Sequence, residues 1–176
     1  VDPDAILFLE GVPGGTHPHW GPEDAPRAVN ASHWYDGLTL LMKVFNPGFN
    51  VDMETMQPVM GEDAVRALFA RQLAAAKAAH MPTLIGEFGL PFDMDDKRAY
   101  RTGDFSLHIK ALDMYYGAMD ANLLSCTIWN YTADNTNARG DMWNDEDLSV
   151  FSRDQQTVDW RQDIHSGGRG LPTVAR

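Results

Sequence analysis

Thr83-Leu84-Ile85-Gly86-Glu87-Phe88-Gly89 is an apolar strand that ends in a carboxylate set between two glycines. Its flanks decide how it is read. Upstream, Glu62 to His80 is alanine-rich, and Val65, Leu68, Phe69, Leu73 and Ala76 recur at the spacing of one helical face. Pro82 follows, as is common past a helix end. Downstream, Asp104 to Ala121 predicts a second helix, with Phe105, Ile109, Leu112, Tyr116 and Met119 inward, Asp104 as N-cap and Asn122 as its stop. A short buried strand between two amphipathic helices is the grammar of a parallel α/β sheet.

Working outward, Ile6 to Leu9 is a short apolar run closed by Glu10-Gly11, Ala28 to Ser32 precedes His33-Trp34-Tyr35-Asp36-Gly37, and Leu123 to Trp129 follows the second helix. Each predicts a further strand. Residues 11–28, 43–62 and 130–147 predict long loops, the last dense in Asn, Asp and Trp. A short apolar stretch, Leu148 to Phe151, and a brief helix over Gln155 to Ile164 close the readable part. Strands thus alternate with helices and long loops about four times, which predicts right-handed parallel winding. A closed (β/α)8 barrel needs eight such units and about 250 residues. The expected organisation is one α/β domain over residues 1–165 and a loose Gly- and Arg-rich tail over 166–176.

The totals limit the function classes. Hydrophobic residues make up 44% of the 176, enough for a real core. With 25 acidic against 14 basic residues the net charge is −11, which disfavours nucleic acid and anionic membrane surfaces and suits a neutral ligand. Cys126 is the single cysteine, so no internal disulfide and no thiolate metal cluster can form. In its apolar run it reads as a small buried hydrophobe. No stretch approaches the roughly 20 apolar residues of a membrane span, and the first residues carry no signal-peptide pattern. A soluble protein of unassigned compartment is expected. Val1-Asp2-Pro3-Asp4 starts without Met directly before a strand, which reads as a cut.

Four strands end in polar or aromatic groups: Glu10, His33 with Tyr35, Glu87, and Trp129 with Asn130. In parallel α/β folds ligands gather at that edge, where rigid strands fix side chains and loops shape a pocket. Glu87 is the sharpest candidate. The glycines at 86 and 89 leave space beside the backbone, and the alternative is an acid merely solvated by loop water. Glu10 invites pairing with it, since retaining glycosidases use two carboxyls about 5–5.5 Å apart, although a pocket-lining role fits Glu10 better. His33 and Tyr35 alternate along a strand and share a face, so both can donate to a nucleophile carboxylate. Among five tryptophans, Trp20, Trp34, Trp129 and Trp143 fall in strand ends or loops, a plausible platform for the apolar face of a sugar ring. Core packing is enough to explain Trp160. His17-Pro18-His19 lacks the pattern of a zinc helix, and Asp134 to Asp145 lacks the spacing of an EF-hand. Solvated loops account for both, and neither metal nor cofactor is expected.

Taken together, His33-Trp34-Tyr35-Asp36-Gly37-Leu38-Thr39-Leu40, Ile85-Gly86-Glu87-Phe88-Gly89 and Trp129-Asn130-Tyr131-Thr132-Ala133-Asp134-Asn135 resemble glycoside hydrolase family 5. They are most similar to its glycolipid-directed branch of endoglycoceramidases, glucosylceramidases and steryl glucosidases. Trp143-Asn144, Glu146-Asp147-Leu148-Ser149 and Ser152-Arg153-Asp154 extend the resemblance to about Asp159. It implies a (βα)4 half-barrel with long βα loops, the C-terminal half of a TIM barrel. Ile6–Glu10, Ala28–Ser32, Thr83–Glu87 and Leu123–Trp129 become strands five to eight. It implies Glu87 as nucleophile, His33 and Tyr35 as its neighbours, and Trp129 as the sugar platform, with Asn130 and Trp143 as further substrate contacts. The family's acid/base lies in an Asn-Glu-Pro motif on strand four, and this sequence contains no Asn-Glu-Pro. The expectation is weak or no hydrolysis of a β-glucoside or glycolipid by this chain alone, with Glu10 a poor replacement.

Two rival expectations remain. One is a non-catalytic module that binds carbohydrate through its tryptophans and self-associates, as a homodimer or higher oligomer, to cover open sheet edges. The other is assembly with a separate chain that supplies the remaining strands.

Overall fold

The computed structural model describes residues 2, 4–11, 19–24, 26–77, 81–155 and 169. Strand β1 (Leu7–Leu9) pairs in parallel with β2 (Ala28–Asn30), Leu7 opposite Ala28 and Leu9 opposite Asn30. Strand β5 (Leu84–Phe88) pairs in parallel with β6 (Ser125–Ile128), Leu84 opposite Ser125. A parallel bridge between Asn30 and Thr83 joins the two pairs. The bonds Gly86 N–H to Ser32 O (3.1 Å) and Trp34 N–H to Glu87 O (2.9 Å) continue that seam. Four parallel strands therefore follow one another in chain order, each near a segment predicted from its apolar run.

The strands approach closely where side chains are absent. A Cβ on Gly86 would lie 2.3 Å from the Ala31 carbonyl oxygen, and one on Gly89 would lie 2.4 Å from that of Trp129. Those two glycines set the spacing on either side of Glu87.

Helix α2 (Glu62–Ala76) buries Val65, Leu68, Phe69, Leu73 and Ala76, the five positions spaced for one face. Residues 78–80, the end of the expected helix, lie outside the described residues. Helix α4 (Ser106–Ala121) packs on α2, and the core joins both to Ile85 and Phe88 of β5. Its inner face is centred differently from the expectation. Ile109 is exposed and Tyr116 is half-buried, while His108, Ala111, Leu112, Tyr115 and Met119 are buried. The shift follows from partners at the interior: the Tyr115 hydroxyl donates to Asp36 (3.1 Å), and His108 meets the Phe92 carbonyl. The side chain of Asp104 accepts from Ser106 N–H (3.0 Å), ahead of the capping residue itself, Phe105.

Four elements were not predicted: two helices in stretches given no assignment and a hairpin in a stretch expected to be loop. Asp36 caps the short helix α1 (Gly37–Met42), and α3 (Met94–Thr102) follows β5. Strands β3 (Phe49–Asp52) and β4 (Gln57–Met60) form an antiparallel hairpin within residues 43–62. Its pattern is inverted, which hides it from a hydrophobic reading. The buried positions are Asn50 and Asp52, satisfied by Asp36 (3.0 Å) and Arg71 (2.6 Å), whereas Met53, Met56 and Met60 are exposed.

His108 gives a pH-sensitive term. Its Nε2 lies 3.1 Å from the Phe92 oxygen; a carbonyl only accepts, so Nε2 carries the proton, and buried Nδ1 has no protein partner. Burial pushes the imidazole down to about 4, against the opposing pull of the Phe92 carbonyl. Between the usual value near 6.5 and about 4 the unfolded chain binds a proton that the folded chain refuses, so stability falls as pH drops through that window. Moving from pH 7 to 4.5 is expected to cost the wild type about 2–3 kcal/mol more than it costs His108→Gln. Urea unfolding at the two pH values measures the difference.

The expected short helix over Gln155 to Ile164, with Trp160, lies outside the described residues apart from a 3-10 turn at Arg153–Gln155. Of the expected tail only Arg169 is described, and it is buried. No helix among the described residues is long and apolar enough to cross a membrane.

Candidate active site

Residues 33–36 leave β2 in an extended alternation that sorts four side chains between two surroundings. Trp34 and Asp36 turn toward the helices. Trp34 packs edge-on against Phe69 (5.5 Å) and Tyr115 (5.2 Å), and its indole N–H donates to Gln72 (3.2 Å). That contact set removes Trp34 from the expected sugar platform, because aromatic partners already occupy its surface. Asp36 is buried and accepts from Thr39 N–H, the Thr39 hydroxyl, Asn50 and Tyr115.

His33 and Tyr35 turn the other way and meet Glu87. The Tyr35 hydroxyl donates to Glu87 Oε2 at 3.0 Å, and His33 Nδ1 lies 3.0 Å from the same oxygen. His33 Nδ1 is also 3.2 Å from Glu10 Oε1. One imidazole nitrogen therefore stands between the two carboxylates. Glu87 is the more shielded, its side chain 24% exposed against 56% for Glu10. The Tyr35 phenol is raised far above its ordinary range, first by burial, then by the charge and hydrogen bond of Glu87, then by the charge of Glu146. It stays protonated and can only donate to Glu87, never compete with it as an anion.

Trp129 follows β6, its N–H bonded to the Phe88 carbonyl (2.8 Å), and the Trp129–Asn130 peptide is cis. Its ring lies 5.9 Å from that of Trp143, tilted by 57°. The two indoles make a bent aromatic surface, with Trp143 well exposed. Asn130 turns into the following loop: its amide nitrogen donates to Asp141 (3.4 Å) and its oxygen accepts from Thr132 (3.3 Å). Trp20 is half-buried.

That loop is solvated only in part: Asp134, Asn144 and Asp145 are exposed, as expected, but its other polar residues turn inward. Asn135, Asp141 and Asp147 are all buried. The Asn135 amide donates to Asp141 (2.7 Å) and Asp147 (2.9 Å). Asp147 also accepts from Tyr100 (2.6 Å) and pairs with Arg169, which covers the Tyr100 ring at 4.5 Å. Two carboxylates held by one amide need a compensating cation, and Arg169 supplies it to Asp147. Composition alone could not show this, because polar residues that satisfy one another look identical to polar residues facing water. No group of acidic, histidine or cysteine side chains suited to a metal ion occurs among the described residues. Of the His17-Pro18-His19 run, only exposed His19 is described. Cys126 is half-buried, and burial with the charge of Asp120 pushes its thiol up.

Sequence reasoning gave Asp36 no separate role; the short spacing Asp36–Thr39, a side-chain cap on α1, was the available signal.

No family model matches the chain. Among curated proteins it is 38% identical over 173 residues to a glucosylceramidase of Aspergillus fumigatus, covering 88% of this chain and 23% of that protein. It is 35% identical over 149 residues to the ergosteryl-beta-glucosidase of Saccharomyces cerevisiae, covering 75% and 20%. Among solved structures it superposes on Cryptococcus neoformans sterylglucosidase 1 with a TM-score of 0.83 at 33% identity, over 97% of this chain and 28% of that one. The chain spans about a quarter of the length of the relatives it matches. Nearly all of this chain is thus similar in sequence and in fold to one stretch of proteins named as glucosylceramidases and steryl glucosidases.

Proposed function

We propose that this chain carries the nucleophile side of a retaining β-glycosidase site, with Glu87 as the nucleophile. The observation that carries the reading is the convergence of His33 and Tyr35 on one oxygen, Glu87 Oε2. Two donors on that oxygen hold the carboxylate in one orientation, leaving attack on the anomeric carbon to Oε1. The new C–O bond forms as the bond to the aglycone oxygen breaks, and water later opens the glycosyl ester. Glu10, sharing His33 and open to solvent, orients the imidazole. The Trp129–Trp143 surface takes the apolar face of the sugar. Glucosylceramidase and steryl glucosidase relatives support a β-glucoside with an apolar aglycone as the substrate class. Hydrolysis of an aryl β-glucoside by the wild-type chain and by Glu87→Gln tests the reading, and activity indifferent to that change overturns it.

The same reading makes the four parallel strands the fifth to eighth of a family 5 glycoside hydrolase barrel. Their chain order and the superposition on about a quarter of a sterylglucosidase support it. One observation favours a covered rather than a free sheet edge: Ile6 and Phe8 of the β1 region are 58% and 60% exposed. Bare apolar side chains beside an open strand favour association. The chain is expected to self-associate, giving a dimer or larger species by size-exclusion chromatography with light scattering. A stable, non-aggregating monomer counts against it.

A further inference from the structure

The loop after β6 ties its two indoles together through one residue, Asp141. Its N–H donates to the Glu146 carbonyl (2.8 Å), and Glu146 N–H donates to the Trp143 carbonyl (3.1 Å), so its backbone brackets the turn that carries Trp143. Its side chain reaches the neighbour of the other ring. Asp141 Oδ2 accepts from Asn130, the residue after Trp129 (3.4 Å), and from Leu148 N–H (2.9 Å). Asn130 is pinned twice more, its N–H donating to Leu148 O (3.4 Å) and its carbonyl accepting from Val150 N–H (2.9 Å). The tilt between the two rings therefore depends on where Asp141 sits.

Asp141 is placed in turn from behind. Asn135 Nδ2 donates both to Asp141 Oδ1 (2.7 Å) and to Asp147 Oδ1 (2.9 Å), and both acids are buried. A displacement of Asp147 passes to Asp141 through that single amide, and Asp147 is secure only while its charge is balanced. Arg169 balances it. Its guanidinium pairs with Asp147 Oδ1, donates to Asn137 (2.9 Å) and Gln155 (3.1 Å), and lies fully buried over the Tyr100 ring. A buried ion pair is a poor source of stability, because desolvation offsets the attraction; what it can supply is one unique arrangement. Here the arrangement ends at the two indoles.

We propose that Arg169 is a positioning residue for sugar binding: by balancing Asp147 it holds Asn135 and Asp141 in place and so fixes the angle between Trp129 and Trp143. The proposal rests on the glycosidase reading in taking that pair as the sugar platform. Arg169 itself touches no substrate and moves no proton. Two indoles 5.9 Å apart and tilted by 57° couple their strong ultraviolet transitions, so the angle has an optical signature separate from binding.

Circular dichroism of the full chain, with Trp129→Phe identifying the exciton couplet of the pair, is read beside calorimetric titration with phenyl β-D-glucopyranoside. Arg169→Met removes the charge and keeps an apolar stem over Tyr100. It is expected to reduce the couplet by roughly half or more and to weaken glucoside binding about tenfold, the worth of one well-placed aromatic contact. Adding Asp147→Asn removes the stranded carboxylate but leaves an acceptor for Asn135, and is expected to restore both readouts to near the wild-type level. Methyl NMR signals of Leu68, Leu73 and Ile85, in the core between the helices and β5, check the fold of each variant. An unchanged couplet in Arg169→Met overturns the proposal, as does a lost couplet with unchanged affinity, or a loss that Asp147→Asn does not restore. Collapse of the methyl signals together with the couplet means a role in the whole fold and overturns it too. A wild type that shows the couplet and binds no glucoside overturns the glycosidase reading, while the couplet of the variants still decides whether Arg169 holds the rings. The two failures are thus distinguishable.

Discussion

Glu87→Gln is expected to lower phenolate release from a 2,4-dinitrophenyl β-glucoside by about a thousandfold or more, a barrier increase of roughly 4 kcal/mol. An amide is nearly isosteric with the carboxylate but does not form the ester, so the first chemical step is lost while the sugar platform remains. The choice of leaving group matters. Dinitrophenolate departs without protonation, so the reading is isolated from whichever group serves as general acid. Two companions sharpen it. Tyr35→Phe removes one donor from Glu87 Oε2 and should reduce the rate by about tenfold to a hundredfold, the worth of one hydrogen bond to a charged group. Glu10→Gln, which acts only through His33, should have the smallest effect of the three. Equal losses in all three variants, or none, would refute the roles given to them; stopped-flow absorbance of the released phenolate is the readout.

The second large effect concerns folding. Asp36→Ala is expected to destabilise the chain by about 3–5 kcal/mol, read as a lowered urea midpoint with the slope unchanged. Each carboxylate oxygen of Asp36 takes two donors: Oδ1 from Thr39 N–H (3.4 Å) and Asn50 (3.0 Å), Oδ2 from the hydroxyls of Thr39 (2.6 Å) and Tyr115 (3.1 Å). Truncation leaves those donors buried without an acceptor, and such groups cost about 1–3 kcal/mol each when unsatisfied. Against a total stability of about 5–15 kcal/mol that is a large fraction. Asp36→Asn retains one acceptor oxygen, and its hydroxyl neighbours can rotate to accept from the new amide, so its loss should be clearly smaller. Similar losses from Ala and Asn would show that the four bonds contribute little.

Much of this was legible before any coordinates. The run Thr83 to Gly89 between two periodic helices gave a parallel strand ending in an acid, because a buried strand leaves a continuous apolar signature and helix α2 a clean one. The alternation of His33 and Tyr35 put both on one face for the same elementary reason, and the family resemblance made them neighbours of Glu87. What stayed hidden shares one physical cause: polar groups that bury by satisfying each other. Asn50 and Asp52 invert the hairpin pattern, Asp36 collects donors from α1, β3 and α4, and the Asn135–Asp141–Asp147 group turns an acidic loop into a packed one. Trp34 was misplaced for the complementary reason, since an indole at a strand end reads alike whether it faces a ligand or Phe69 and Tyr115.

The strict in-and-out order of residues 33 to 36 has an evolutionary corollary. Gaining one codon just before that tetrapeptide would swap the two sets, turning imidazole and phenol toward the helices and indole and carboxylate toward the cleft. Point replacements there change one contact at a time, but a change of length disturbs both sets together. Lineages diverging in substrate taste should therefore keep this stretch fixed in length and put their insertions elsewhere.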